Sequence, residues 1–584
     1  MAEAAVRGRA WTPELATYAS RAAELGLRFA ARLDPAPGQS VPTEAVRRGS
    51  VARCRDGTLA IAPEAHVLPA VASWLARNPE LASRIAVTAP SEIRRALIAA
   101  NSAEFADMAI RSLDRRFSQF SASTVLRPTQ ALALAAAAAV AALAVAADPL
   151  RAFAEVGVVA TLFFLAMAAF RFAAAGAIGK GPQPTPAPER TPDRALPVYT
   201  ILVPLYREAT VVRSLIAALR RLDWPSDRLD IKLVLEEDDA ETRVEVDRHM
   251  PGPPFEAVIV PNAAPRTKPK ALAFANLFSR GEFITVYDAE DDPHPTQLRE
   301  AYARFQDEPE LACVQAPLVI DNPDPTWIAR LFAIEYSALF DGLLPYLASK
   351  GLPLPLGGTS NHFRRSALEA IGGWDPFNVT EDADIGLRLA RFGYRVGTIA
   401  LPTYEEAPVH FGAWMRQRTR WFKGWMQTCL VHARHPLWLV ADLGFKRTLG
   451  FVAIQLGMVV SAMLHPFFVA LLVAIAADPS LIAGEEKDGV TGVLVAIGLA
   501  NLFAGYGAMT ALAARTLPLR GLRRIEGALA WLPLYWLLMS VAIYRAFQLL
   551  FRPHYWDKTT HFGFVPHAKL PSRRVARLRA FSRG

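Results

Sequence analysis

Hydrophobic positions form two patterns along the chain: long uncharged runs, and short apolar stretches that alternate with amphipathic ones. Residues 128–147 carry no charge, and residues 156–170 are again uncharged. About 20 helical residues cross the hydrocarbon core of a bilayer, so these runs predict a pair of membrane helices at 128–178, with Arg171 reaching to the interface. Further uncharged runs predict carboxy-terminal membrane helices within 446–551, at Thr448–Ala477, Val490–Ala514 and Gly527–Tyr544.

Basic residues on both sides of the first pair predict that both flanks are cytoplasmic. These residues are Arg111, Arg115, Arg116 and Arg127 before the pair and Lys180 after it. Three later crossings would leave the basic tail, 552–584, outside. Either the Thr448–Ala477 run breaks at His465-Pro466 into two passes, or the last segment is re-entrant. We expect a cytoplasmic tail on a multi-pass protein of the inner (cytoplasmic) membrane, with the domain between the membrane runs in the cytoplasm.

Between the membrane runs the pattern changes to strands and helices. A proline-rich linker at 179–197 precedes it, and a stretch of interfacial helices at 413–445 follows. Buried strands are predicted at 198–203, 231–235, 257–260 and 283–287, with helices between them. Such alternation predicts an α/β domain at 198–412 with a mostly parallel sheet covered on both faces. Residues 1–120 predict a small cytoplasmic α/β domain.

The composition limits the class of partner. The 584 residues are 52% hydrophobic and carry a net charge of +9. Because the excess positive charge lies beside apolar segments and in the tail, it indicates anionic lipid headgroups rather than nucleic acid. The three cysteines are far apart, so neither a disulfide framework nor a zinc site is predicted.

Acidic residues follow two of the predicted strands. Glu237 and Asp238 come just after the strand at 231–235, and Asp288 ends the strand at 283–287. Parallel strands end at one edge of a sheet, where ligands bind, so we expect these side chains at one site. Asp288 and Glu290 stand two apart and can share Mg²⁺ or Mn²⁺, which prefer carboxylate oxygens.

Three further groups supply candidate chemistry. Lys268 and Lys270 open a predicted helix, where anions bind, although a solvated helix start is an equal alternative. Thr380 is a candidate cap that places Glu381 and Asp382 in the first turn of the next helix, with Asp382 as candidate general base. Gln417, Arg420 and Trp421 stand at i, i+3 and i+4, on one helix face suited to a diphosphate beside a sugar ring.

Five ordered motifs resemble the membrane-bound family 2 glycosyltransferases, the group with cellulose, chitin and hyaluronan synthases. They are Pro204-Leu205-Tyr206-Arg207-Glu208, Glu237-Asp238, Asp288-Ala289-Glu290, Thr380-Glu381-Asp382 and Gln417-x-x-Arg420-Trp421. The resemblance spans about residues 195–550. It implies a GT-A, Rossmann-like catalytic domain, a nucleotide-diphosphate sugar donor, a divalent metal and inversion at the anomeric carbon.

The resemblance also implies roles for individual residues. Asp238, with Glu237, would contact the uridine, and Asp288 with Glu290 the diphosphate and metal. Asp382 would be the base, beside Thr380 and Glu381. Gln417, Arg420 and Trp421 would hold the diphosphate and the acceptor sugar. The loop with Gly358, Thr359 and Ser360 would lie beneath the acceptor. The family's Asp-x-Asp is Asp288-x-Glu290 here, so the metal geometry must shift, or Asp291 substitutes.

The amino-terminal region resembles the small amino-terminal domain of type II secretion ATPases. The likeness rests on Ala23–Leu27, Asp56–Leu59 and Pro90–Arg94. The nucleotide-binding part of that pattern is not evident, so no ligand residues are assigned. If cyclic di-GMP or a secretion partner acts on this chain, this region would receive it; a docking or packing domain is the alternative.

The sequence therefore predicts an inverting, metal-dependent glycosyltransferase that uses a UDP-sugar to extend a polysaccharide at the membrane. Transfer of a single sugar to a lipid or lipid-linked acceptor is the alternative. A catalytically silent sensor or scaffold is a third hypothesis.

Overall fold

The computed structural model describes residues 12–36, 41–179, 191–479 and 489–550. Most of the predicted proline-rich linker, at 180–190, and all of the predicted tail at 552–584 lie outside the described residues. The described strands are β1 (Arg28–Phe29), β2 (Val51–Arg53), β3 (Leu59–Ile61), β4 (Ile85–Val87), β5 (Tyr199–Leu205), β6 (Leu229–Glu236), β7 (Phe255–Val260), β8 (Phe283–Val286), β9 (Asp292–Pro293), β10 (Leu311–Gln315), β11 (Leu318–Ile320), β12 (Asn361–Arg364), β13 (Arg395–Thr398) and β14 (Thr403–Glu405).

The α-helices of the described residues alternate with these strands and then continue alone. They are α1 (Pro13–Glu24), α2 (Thr43–Arg48), α3 (Leu68–Arg77), α4 (Pro90–Ala100), α5 (Ser102–Phe117), α6 (Pro128–Ala147), α7 (Pro149–Ala177), α8 (Val212–Leu219), α9 (Ala240–His249), α10 (Lys268–Asn276), α11 (Gln297–Asp307), α12 (Trp327–Ala338), α13 (Leu344–Ser349), α14 (Arg365–Ala370), α15 (Glu381–Arg391), α16 (Phe411–His432), α17 (Pro436–Phe451), α18 (Gly457–Ala477), α19 (Gly489–Arg520) and α20 (Leu532–Leu549).

A seven-stranded sheet organises the centre of the molecule. Its order is β13-β10-β12-β8-β5-β6-β7, and only β12 runs antiparallel to its neighbours. β5 and β6 are apolar on both faces, as expected for strands covered by helices on each side. The predicted α/β class with a mostly parallel sheet is confirmed. A smaller sheet, β11-β14-β9, lies beside it.

Residues 12–125 form a second α/β unit that packs on the central one. Its four-stranded sheet has the order β1-β4-β3-β2. Phe105 of α5 meets Phe278 edge to face at 5.1 Å between ring centroids. Arg94 of α4 pairs with Glu256 of β7 at 3.0 Å, and both side chains are almost fully buried. The two units therefore share an apolar and ionic interface.

Six helical stretches in the described residues are long and apolar enough to cross a membrane. Five match the predicted runs, and the sixth, Trp327–Ser349, was not predicted. Of the 18 most apolar consecutive residues of this stretch, 61% are buried within the protein, whereas the corresponding value for α6 is 0%. The stretch therefore packs inside the molecule rather than standing apart like α6. α18 continues through Pro466, so the helix is not divided at His465-Pro466, which was one of the two alternatives for the position of the tail.

Candidate active site

The carboxyl ends of neighbouring strands bring the acidic clusters to one cavity. β5 lies between β6 and β8, parallel to both, so the residues that follow β6 and β8 emerge at the same edge. Asp238 and Asp288 both line the cavity. Asp238 pairs with Arg266 at 3.0 Å, and Arg266 also lines the cavity. This edge therefore presents paired acidic and basic groups suited to a polar ligand.

Lys268 connects three of the predicted clusters. Its ammonium donates to Asp288 Oδ1 at 2.6 Å and to the Gly358 carbonyl at 2.7 Å, and lies 3.9 Å from Glu381. Burial alone would lower the pKa of Lys268, but Asp288 and Glu381 raise it above its ordinary value. Lys268 is therefore a fixed cation that holds the strand-end acid, the glycine loop and the start of α15 together.

The start of α15 carries two carboxylates with different environments. Thr380 occupies the N-cap position, but its hydroxyl is buried and makes no hydrogen bond to any described residue. Burial, opposed by Lys268 and reinforced by Asp382, raises the pKa of Glu381 to about 8. Burial also raises the pKa of Asp382, although Lys268 and Arg420 favour its charge. Two adjacent acids whose pKa values are perturbed in a cavity are candidates for proton transfer.

α16 presents the predicted triplet to the same cavity. Gln417, Arg420 and Trp421 all line it. Gln417 Oε1 and Arg420 Nε are buried and have no hydrogen-bond partner among the described residues. Buried polar atoms normally find partners, so these two atoms indicate room for a polar ligand.

α16 approaches α15 closely at Gly424. A Cβ placed on Gly424 would lie 2.4 Å from Thr380 Oγ1 and Cγ2. Only glycine therefore allows this spacing between the helix that carries Arg420 and the start of the helix that carries Asp382.

A row of aromatic side chains lines the part of the cavity beside the candidate membrane helices. Tyr336 and Phe340, from the stretch that the sequence did not predict, line it together with Trp421 and Trp425. Tyr336 and Trp421 are stacked at 6.4 Å between ring centroids, and Tyr336 and Phe340 lie 5.4 Å apart. Aromatic faces of this kind suit the apolar faces of sugar rings.

Three predicted residues lie outside the lining. Lys270 is buried and donates to Glu236 at 2.8 Å, and Ser360 is buried and donates to Thr403 at 2.6 Å. Glu237 accepts from the Asn262 amide at 3.0 Å and does not line the cavity. Gly358 and Thr359 do line it. The structure thus brings Thr380, Glu381, Asp382, Asp238, Asp288, Glu290 and Lys268 together with the α16 triplet, and leaves Glu237, Lys270 and Ser360 in supporting positions.

The predicted metal ligands Asp288 and Glu290 line the cavity beside a third acid, Glu405. Burial and the charge of Glu290 raise the pKa of Glu405 to about 8. Within the described residues, no cluster of three His, Cys, Asp or Glu side chains is arranged to hold a metal ion. Mg²⁺ is commonly held by one or two carboxylates plus substrate phosphates, so the donor set of Asp288 and Glu290 fits a metal that arrives with a diphosphate.

Asp291, the predicted substitute ligand, does not line the cavity. Its carboxylate accepts from the Asp288 amide at 2.7 Å and from the Thr359 hydroxyl. Burial, reinforced by Asp288 and Glu290, raises the pKa of Asp291 well above its ordinary value. In this position Asp291 joins the strand-end turn to the glycine loop.

Comparison with known proteins matches the part of the chain that carries most of this site. Residues 283–547 match the family model described as glycosyl transferase family group 2. The match begins at β8 and covers somewhat less than half of the chain, so those residues are similar to glycosyltransferase family 2. The likeness of residues 1–120 to secretion ATPases stays a prediction.

Individual relatives are distant and cover part of the chain. The probable glycosyltransferase YdaM of Bacillus subtilis (strain 168) is 28% identical over 236 residues, 40% of this chain and 56% of that protein. The UDP-forming cellulose synthase catalytic subunit of Xanthomonas axonopodis pv. citri (strain 306) is 27% identical over 301 residues, 50% of this chain and 38% of that protein. The chain thus spans little more than half the length of the first relative, and less of the second.

One solved structure is similar over most of its length. It is the mannosyltransferase PcManGT from Pyrobaculum calidifontis in complex with GDP-Man and Mn²⁺. The TM-score is 0.40 and the identity 18%, and the match covers 68% of this chain and 98% of that one.

Proposed function

We propose that this protein is an inverting glycosyltransferase that transfers a sugar from a nucleotide-diphosphate donor to a growing polysaccharide at the cytoplasmic membrane. One observation carries the proposal: Asp238, Asp288, Asp382 and Trp421, spread over almost 200 residues of sequence, line a single cavity next to the apolar helices. Strand ends, a helix start and a helix face converge there on one set of acids, cations and aromatic rings.

The donor would lie along the strand-end edge. Asp238 is placed to accept hydrogen bonds from the nucleoside, and Arg420 with Gln417 to contact the diphosphate. Asp288 and Glu290 would hold Mg²⁺ or Mn²⁺, whose charge would offset the charge that develops on the departing diphosphate. A UDP-sugar is the donor we favour, because the related cellulose synthase subunit is named as UDP-forming.

Asp382 would take the proton from the acceptor hydroxyl. As that hydroxyl oxygen bonds to the anomeric carbon, the bond from this carbon to the diphosphate oxygen breaks, and attack from the opposite face inverts the configuration. The pKa of Asp382 is raised by burial, which makes it a stronger base than an exposed aspartate. Glu381, with a pKa raised to about 8 mainly by burial, keeps its proton near neutral pH, which avoids two adjacent buried charges at the start of α15.

The acceptor would lie against the aromatic row. Tyr336, Trp421 and Trp425 present ring faces between the acids and the membrane helices. A sugar ring stacked there would keep its terminal hydroxyl near Asp382, because the Gly357–Gly358 loop joins the two regions: a Cβ on Gly357 would meet Phe340, and one on Gly358 would lie 3.5 Å from Asp382.

The test is turnover by the purified full chain in detergent. A panel of UDP-sugars is supplied with glycan acceptors, with and without Mg²⁺ or Mn²⁺, and UDP release and product length are measured. Asp382→Asn should reduce turnover at least about 100-fold, since it removes the proposed general base. Asp247→Asn, an exposed acid on α9, is the matched control and should be unchanged.

Two outcomes would count against the proposal. Undiminished turnover in Asp382→Asn would remove the mechanism. No turnover by the parent with any donor and acceptor would favour a silent scaffold, in which residues 12–125 act as a docking unit for a nucleotide or a secretion partner.

A further inference from the structure

The cavity continues from the aromatic row into an apolar region among the membrane helices, which we call the membrane arm. Its lining includes Met167, Phe170 and Arg171 of α7, Leu343, Ile454 and Met458. Apart from Arg171, these side chains are hydrocarbon or thioether groups. The hydroxyl groups of a glycan would find few hydrogen-bond partners among these side chains, whereas a hydrocarbon chain matches their apolar surface.

Two π-helical turns shape this arm. Leu339–Leu343 interrupts the helix between α12 and α13, and Val452–Leu456 joins α17 to α18. α7 packs on both turns. π-Turns are rare and occur mostly at functional sites, because the additional residue redirects side chains. Here each turn supplies lining residues, Leu339, Phe340 and Leu343 from one and Ala453 and Ile454 from the other.

Arg171 is the unusual member of the arm. Among the described residues it makes no hydrogen bond and no ion pair. The two acids of the Trp327–Ser349 stretch already have cationic partners. Glu335 pairs with Arg418 at 2.7 Å, and Asp341 pairs with Arg520 at 2.6 Å.

A guanidinium beside apolar surface at the depth of a membrane is unfavourable unless an anion pairs with it. Arg171 stands six residues before the end of α7, about 9 Å along the helix. That is near the interface end of the span, where the phosphate of a lipid lies while its chain points into the hydrocarbon region.

We propose that the membrane arm binds the anchor of a lipid-linked acceptor, with its phosphate at Arg171 and its hydrocarbon chain along Met167, Ile454 and Met458. This inference rests on the proposed function and names the acceptor's class: a glycan joined to a lipid through phosphate. The phosphate takes no part in bond exchange. The hydroxyl that attacks the donor lies at the other end of the acceptor, beside Asp382, and loses its proton there.

Binding of matched probes to the full chain in neutral detergent tests this, with affinities measured by native mass spectrometry. Farnesyl phosphate and farnesol share one chain and differ only in the phosphate, and inorganic phosphate supplies the charge alone. The parent should bind farnesyl phosphate at least about 10-fold more tightly than farnesol, as expected for a hydrogen-bonded charge pair. Arg171→Gln should remove that difference and leave farnesol binding unchanged, and Arg171→Lys should keep most of it.

Arg545→Gln, an exposed arginine on α20 outside the cavity lining, is the matched control and should behave as the parent. UDP binding is measured on each sample, so a variant that merely misfolds is recognised by its loss. Equal affinity of the parent for farnesyl phosphate and farnesol would overturn the inference. So would displacement of farnesyl phosphate by an equal concentration of inorganic phosphate, which would indicate a free-phosphate site.

The two proposals can fail separately. Phosphate-dependent lipid binding at Arg171 without any sugar transfer would leave the lipid site standing and remove the glycosyltransferase function. Sugar transfer to free glycans, together with equal affinity for farnesyl phosphate and farnesol, would support the glycosyltransferase function and remove the lipid site.

Discussion

Replacing Gly424 with alanine tests whether the spacing of α15 and α16 sets catalysis. The added Cβ would lie 2.4 Å from Thr380 Oγ1 and Cγ2 and 2.8 Å from Thr380 Cβ. Ordinary contact begins at 3.4 Å, so the helices must separate by about 1 Å. Thr380 cannot swing away, since its Cβ is itself in the way.

Two effects on stability oppose each other in this variant. Overpacking costs about 1–3 kcal/mol, whereas alanine in place of glycine in a helix interior stabilises by about 1 kcal/mol. The net loss is therefore at most about 2 kcal/mol. Turnover should suffer more, because a displacement of about 1 Å in catalytic geometry can cost about 100-fold.

The measurement compares kcat and thermal melting of Gly424→Ala with those of Gly498→Ala. Gly498 is a helical glycine of α19 whose added Cβ would meet only Phe468 at 3.8 Å, an ordinary contact. Gly498→Ala should keep its kcat, and Gly424→Ala should lose about 100-fold while melting only a few degrees lower. An unchanged kcat in Gly424→Ala would refute the reasoning, since the helix spacing would then not position the base.

Two further predictions concern the buried groups behind α15. Asp384→Asn leaves Arg388 without its buried partner, at present 2.7 Å away, and should lower the free energy of unfolding by about 3–5 kcal/mol. The control in thermal melting is Glu44→Gln, which breaks only an exposed ion pair. Equal melting temperatures of the two variants would contradict this prediction. Burial, and then the charge of Asp384, raise the pKa of Asp375 from an ordinary 3.8 to about 7. Between about pH 4 and pH 7 the folded state therefore keeps a proton that the unfolded state has lost. The stability of the parent protein should fall as the pH rises through this range. Asp375→Asn should make melting curves recorded across that range less dependent on pH, and an unchanged slope would show that Asp375 is not the group responsible.

The sequence predicted those parts of the site that follow from local pattern. Asp238 and Asp288 follow strands whose apolar composition predicts a buried parallel sheet, and parallel strands end at one edge. Gln417, Arg420 and Trp421 lie on one face of α16 because of helical periodicity alone. Local sequence patterns were sufficient here because the position of each of these residues is set by a single strand or helix.

Other parts of the site depend on contacts between distant elements. Tyr336 and Phe340 lie in a stretch whose apolar residues face the protein rather than lipid, and composition does not distinguish these surroundings. Glu405 belongs to β14, whose pairing with β11 and β9 brings it near Glu290. In the sequence, Glu405 is visible only as part of an acidic pair before Ala407-Pro408. Such a pair by itself is typical of an ordinary surface loop.

The position of Asp382 relative to Arg420 is fixed by contacts on both sides of Asp382 in the sequence. At the start of α15, Gly424 touches Thr380, and Asn378 donates to Thr428 at 3.0 Å. Further along the helix, Asp384 accepts from His432 at 2.9 Å, so the same two helices meet again near the end of α16.

This second contact leads back to the amino-terminal unit. Asp375, whose pKa is raised by burial and by the charge of Asp384, accepts from the Ala122 amide at 2.5 Å. Arg434, just beyond α16, donates to the carbonyl of Ser118 at 3.0 Å. The segment that follows α5 therefore contacts residues next to α15 and α16 on the side away from the cavity. A ligand or partner that shifted residues 12–125 would therefore act on Asp382 and Arg420, the proposed base and proposed diphosphate contact, without entering the cavity.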